Sequence, residues 1–125
     1  MIIADHIHIV LWVSGAFTML PIVVFLLPAR GPRLLFGVDA PGGAGGLITR
    51  HWGLLAPSLG ALLIYAAWHP ELRAPLMLAA AIEKAGLIGL IVADWKKPHT
   101  AHMRPIVICD LVIVSIYAVY LLHFL

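Results

Sequence analysis

Three ionisable residues stand inside apolar runs: Glu83 and Lys84 in "AAAIEKAGLIG", residues 79–89, and Asp110 in "PIVICDLVIV", residues 105–114. Carboxyl and amine groups held away from water can pass a proton, orient a polar ligand or lock helices together. Glu83 and Asp110 are the candidate acid or base of such a site. Lys84 and His51, with Arg50 beside them in "RHWGLLAPSLG", are the candidates to stabilise developing negative charge. Arg50, Trp52, Tyr65 and Tyr117 are the candidate ligand-binding side chains, since each joins a polar tip to an apolar body. What matters next is which elements would bring these residues together.

The 125 residues suffice for one modest domain. They are 62% hydrophobic and 11% charged, with a mean hydropathy of +1.03. A soluble domain carries roughly a quarter charged residues, so the composition predicts an all-α integral membrane protein. A net charge of +2 is too mild to argue for nucleic acid. The single cysteine, Cys109, excludes an intrachain disulfide and reads as a small packing residue. The N-terminal "MIIADHIHIV" has no basic leader and no small-residue cleavage site, so it reads as the start of a retained helix.

A bilayer core needs about 20 apolar residues in helical form. Four segments meet that need, at about 8–28, 50–68, 75–95 and 105–125. They predict a four-helix bundle of up-down topology. Pro75 and Pro105 suit first helical positions, whereas Pro21 and Pro57 should bend the first two helices. Residues 29–49 form a Gly/Pro-rich loop whose "RLLFGV" could lie along the membrane surface. Arg30, Arg33, Arg50, Lys96, Lys97 and Arg104 fall on one side and only Arg73 on the other. That asymmetry predicts both termini outside and the two longer loops in the cytoplasm.

At about 1.5 Å per residue, Glu83 lies about 12 Å beyond Pro75, near the bilayer midplane. A charge there costs about 2.5–3.5 kcal/mol, so both residues should turn inward. Neighbouring helical residues diverge by about 100°, so Glu83 and Lys84 face different helices. Glu83 shares a stripe with Ala79, Gly86 and Leu90, where small residues would admit another backbone. Asp110 shares one with Ile106, Ile113, Tyr117 and Leu121, at a depth that suits a Lys84–Asp110 pair. Arg50 and His51 could complete the network. The competing reading is an ion pair that fixes helix register and does no chemistry.

The seven histidines divide between the two sides. "DHIH" with His69 or His123 could surround a divalent metal, but the spacing matches no zinc signature, and these histidines read as wet interfacial tips. A bis-histidine haem needs a partner for His51 at equal depth, and none is evident. No metal or cofactor is therefore expected. Trp12, Trp52, Trp68 and Trp95 fit an interfacial belt. Walker, dinucleotide-binding, GxSxG and HExxH motifs are missing, and "PGGAGG" reads as linker.

"LPARGPRLLFGVDAP", "RHWGLLAPSLGALLIYAAWHPELRAP" and "IEKAGLIGLIV" resemble segments of the DoxX-like group of small bacterial four-helix membrane proteins, over roughly residues 15–95. The resemblance implies that fold and a multi-pass place in the bacterial inner membrane, and it transfers no catalytic residue. The residues themselves point to a buried polar pocket that binds a lipophilic small molecule and acts on it by acid–base chemistry of hydrolase or isomerase type. An epoxide, terpenoid or quinone-like compound would suit it. Two other classes compete. One is a proton or ion path, working as a homo-oligomer; the other is an accessory subunit whose charge network only fixes packing.

Overall fold

The computed structural model describes residues 2–124 and is helical throughout, with no strand among them. In chain order the helices are α1 (Ile2–Asp5), α2 (Ile7–Thr18), α3 (Ile22–Leu26), α4 (Gly31–Phe36), α5 (Gly43–Ala66), α6 (Pro70–Ala93) and α7 (Arg104–Phe124). A 3₁₀ turn, Pro98–Met103, leads into α7. Four stretches are long and apolar enough to cross a membrane: α2 with α3, α5, α6, and α7 with its 3₁₀ lead. Within the most apolar part of each such stretch only 22–28% of the residues are buried. Leu90, Ile82, Ile108 and Leu122 stand 62–84% exposed, an outer surface suited to acyl chains.

The first span is two helices, because Pro21 cannot donate to the helical ladder and crowds the preceding turn. Around it the backbone bonds tighten to three-residue steps: Ile22 N–H donates to Met19 O at 3.0 Å and Val24 N–H to Pro21 O at 2.9 Å. Pro57 behaves otherwise, since α5 runs through it as one helix. The remaining spans start earlier than the sequence predicts. α5 begins at Gly43, so the expected loop shrinks, and α6 begins at Pro70. Pro75 is therefore inside α6 and does not open it. Arg73 completes the turn between these helices: its guanidinium donates to the carbonyls of Ala66 and Ala67 at 3.0 and 2.7 Å, serving the open C-terminal end of α5.

Close backbone approach joins α2 and α3 to α5. A Cβ on Gly60 would fall 2.6 Å from Gly15 O, and one on Gly53 would fall 2.7 Å from Phe25 N. Glycines make this seam possible, as in close-packed membrane helices. The α6 stripe of Ala79, Gly86 and Leu90 does not serve in that way. Those three residues are exposed, and a Cβ on Gly86 would meet nothing within 4 Å. The buried line of α6 is instead Met77, Ala80, Lys84 and Ile91, which packs on α7. Leu11, Leu63, Met77, Ala80 and Tyr117 form the middle of the core.

Candidate functional site

Helical phase explains how α6 presents its two ionisable groups. Lys84 falls on the buried line three and four positions after Ala81 and Ala80, and its residue is only 3% exposed. Glu83, rotated by about 100°, sits at the edge of that line, towards α5. Asp110 occupies the matching buried line of α7 with Val107 and Tyr117. Its Oδ1 accepts a hydrogen bond from Lys84 Nζ at 3.3 Å, and both side chains are 3% exposed. A direct ion pair thus crosses the α6–α7 interface. The Lys84 ammonium also lies 5.5 Å from the centre of the Phe17 ring, near the end of α2.

A cavity of about 240 Å³ adjoins the pair. Glu83, Lys84 and Asp110 supply its ionisable wall, and the rest is largely apolar, including Phe17, Leu20, Leu35, Phe36, Trp52, Leu87 and Ile106. Thr18 and Pro21 line it as well, so the break in the first span borders the hollow. α4 contributes Leu35 and Phe36, and the Phe36 and Trp52 rings lie 5.6 Å apart, centre to centre. The Gly37 cap that ends α4 has φ 69°, a left-handed conformation that a side chain would strain. A second hollow, of about 520 Å³, lies on the outer flank and shares Phe36, Trp52, Glu83 and Leu87 with the first. Glu83 Oε2 is buried and has no hydrogen-bond partner. Such an acceptor is costly to leave unmet.

Of the residues singled out from sequence, Glu83, Lys84, Asp110 and Trp52 come together around this cavity. The other four do not. His51 is exposed and borders neither hollow. The buried face of α5 carries Gly53, Ala56, Pro57, Gly60 and Leu63, and His51 is two residues, about 200°, away from Gly53. Tyr65 has the same offset from Leu63; it is exposed and stacks on His69 at 3.9 Å between ring centres. Arg50 is exposed too, and its Nε donates to Phe25 O at 2.9 Å, tying α5 to α3. Tyr117 is fully buried but lies two helical turns from Asp110 and does not line the cavity.

Tyr117 instead meets Ser14 at 2.5 Å between oxygens. Ser14 donates its own proton to Val10 O at 2.6 Å, which leaves Tyr117 as the donor between them. Thr18, one turn further along α2, donates to Ser14 O at 2.7 Å and faces the cavity. Ser14 and Thr18 are not among the residues singled out from the sequence. Their signal was available in the Ser14–Thr18 spacing of four, which places both on one helix face.

The histidines near the chain ends, read above as possible metal ligands, do not assemble. His6 Nδ1–H donates to Ile2 O at 3.1 Å, His8 packs edge-on against Trp12, and His123 against Phe124. Among the described residues no group of three His, Cys, Asp or Glu side chains comes together that could hold a metal ion. Cys109 is exposed on the flank of α7, so it is not the packing residue the sequence suggested. At the other end of the molecule the Asp94 carboxylate receives Lys97 Nζ at 3.2 Å and His99 Nε2 at 3.3 Å. The hydrogen bond from Lys97, then that from His99, holds its carboxyl below the usual aspartate range. Compared with protein-family models, with curated proteins and with solved structures, the chain matches none.

Proposed function

We propose that this is an integral membrane protein whose four spans cross the bilayer in up-down order and enclose a pocket for a lipophilic small molecule. The pocket acts on its ligand by acid–base chemistry of the hydrolase or isomerase type. One observation carries the reading: three ionisable side chains converge on an otherwise apolar cavity large enough for a small ligand, and one buried carboxyl oxygen there is unmatched. In this reading Glu83 exchanges a proton with the ligand. Lys84, oriented by Asp110, supplies positive charge where negative charge develops, and Trp52 packs on the ligand's apolar part. The likeness of residues 15–95 to DoxX-like proteins supports the same architecture, and the six-to-one bias of inner over outer cations supports termini outside a bacterial inner membrane.

The test is mass spectrometry of small molecules that co-purify with gently solubilised protein. The wild type should carry a lipophilic compound that is depleted at least tenfold in Glu83→Gln and Asp110→Asn, with both variants still monodisperse and helical. An empty wild-type protein, or variants that retain the compound fully, would refute it. Failure of both variants to fold would show that the charges serve structure instead.

Proton or ion conduction is the second reading. It draws on buried hydroxyls beside the cavity: Thr18 lines it with Lys84 and Asp110, and one turn away on α2 Ser14 meets Tyr117. Proteoliposomes that dissipate an imposed pH gradient, and lose that ability with Tyr117→Phe, would favour it.

A further inference from the structure

The two hollows differ in which charges they offer. Lys84 and Asp110 border only the inner one, where each already has the other as partner. Glu83 borders both, together with the aromatic rings of Phe36 and Trp52. The junction therefore presents a carboxyl with no counter-ion of its own in hollows that the packed Phe36 and Trp52 rings also line. Counting formal charges, Lys84 and Asp110 cancel and Glu83 leaves one negative charge over. A carboxylate that shares a hollow with aromatic rings is suited to an organic cation, by charge-assisted hydrogen bonding and by attraction to ring faces.

We infer that the molecule recognised at this site is a lipophilic amine, its ammonium held by Glu83 beside the packed Trp52 and Phe36 rings and its apolar part lying in the adjoining hollow. An ammonium is a pure donor, which matches the unpartnered Glu83 Oε2. Its charge completes a neutral set of four groups in a low-dielectric setting, where one charge in excess is costly. A carboxylate-bearing lipid would add a second negative charge beside Glu83 and is disfavoured. A neutral alcohol could donate one hydrogen bond, but it leaves the charge uncompensated and gains nothing from the rings. The inference rests on the binding half of the proposed function and is independent of the reaction catalysed.

The experiment uses the full chain in lipid nanodiscs and three probes with the same tail: decylammonium, decanol and decanoate. Binding is read by calorimetry against protein-free nanodiscs. Decylammonium should bind at least tenfold more tightly than either other probe. Glu83→Gln should abolish that preference while leaving decanol binding within about threefold, and Trp52→Leu should weaken decylammonium more than decanol. Decanol binding equal to or tighter than decylammonium would overturn the inference while leaving the lipophile pocket in place; so would a preference for decanoate. Binding of none of the three would overturn both. If Glu83→Gln does not purify as a monodisperse protein, the ranking of head groups in the wild type decides the matter.

Discussion

At the residue scale, the Lys84–Asp110 pair is the contact with the greatest energetic leverage. Removing one member of a buried pair strands the other, at a cost of about 3–5 kcal/mol, whereas replacing both with apolar residues is often neutral. Lys84→Met alone should therefore destabilise the protein by about that amount, and Lys84→Met with Asp110→Leu should restore most of it, as read by denaturant titration in detergent. Ligand retention should stay lost in the double variant, which separates stability from binding. Asp94 offers a surface counterpart. Its carboxyl is held below its ordinary value, so its ties to Lys97 and His99 are intact above the unfolded pKa and are lost as pH falls through the lower folded value. Limited proteolysis should show residues 94–104 becoming more susceptible in acid below the ordinary aspartate range, and Asp94→Asn should be susceptible already at neutral pH. The burial of Lys84 and Asp110 was legible from sequence because charges in an apolar run have few places to go. The exposure of His51 and Tyr65 was not, because neither Arg50 nor Trp68 reveals which side of a long, evenly apolar helix will meet its neighbours.

At the element scale, the decisive features are a broken span and a glycine seam. Pro21 announced the break, and its consequence, Phe17, Thr18, Leu20 and Pro21 lining the cavity, required knowing what packs opposite. The seam was read on the wrong helix. Gly86 and Gly60 are alike in sequence, both small residues in apolar surroundings, and only the partner decides between contact and open space. Gly60→Ala would push a methyl group to 2.6 Å from Gly15 O, so it should destabilise the protein by about 1–3 kcal/mol in the same denaturant titration. Gly86→Ala meets no atom and should be neutral or slightly stabilising, through higher helix propensity. A large loss at Gly86 would mean that another surface covers that face.

At the scale of the whole molecule, the number of spans and the apolar character of the chain followed from composition and segment length alone. Span boundaries differ from the sequence reading at 43–46 and 70–75: Arg73 ties the second of these stretches to the end of α5, whereas residues 43–46 continue α5 as helix with no neighbour against Gly43. Orientation is open to direct measurement. In a Cys109→Ser background, a cysteine at Asp5 should react with a membrane-impermeant thiol reagent in intact spheroplasts, and one at Ala101 only after permeabilisation. The reverse pattern would invert the proposed topology.

The outer hollow is bounded by Ile82, Gly86 and Leu90, all exposed, and by Met103, so in the proposed bilayer placement it opens on a flank that acyl chains would cover. A compound arriving there would then be drawn from the bilayer, so occupancy would follow its mole fraction in lipid. Adding lipid at constant total ligand should then dilute the ligand and lower occupancy, even though its aqueous concentration barely counts. Selectivity between candidate ligands would be set in two stages, first by partitioning and then by fit.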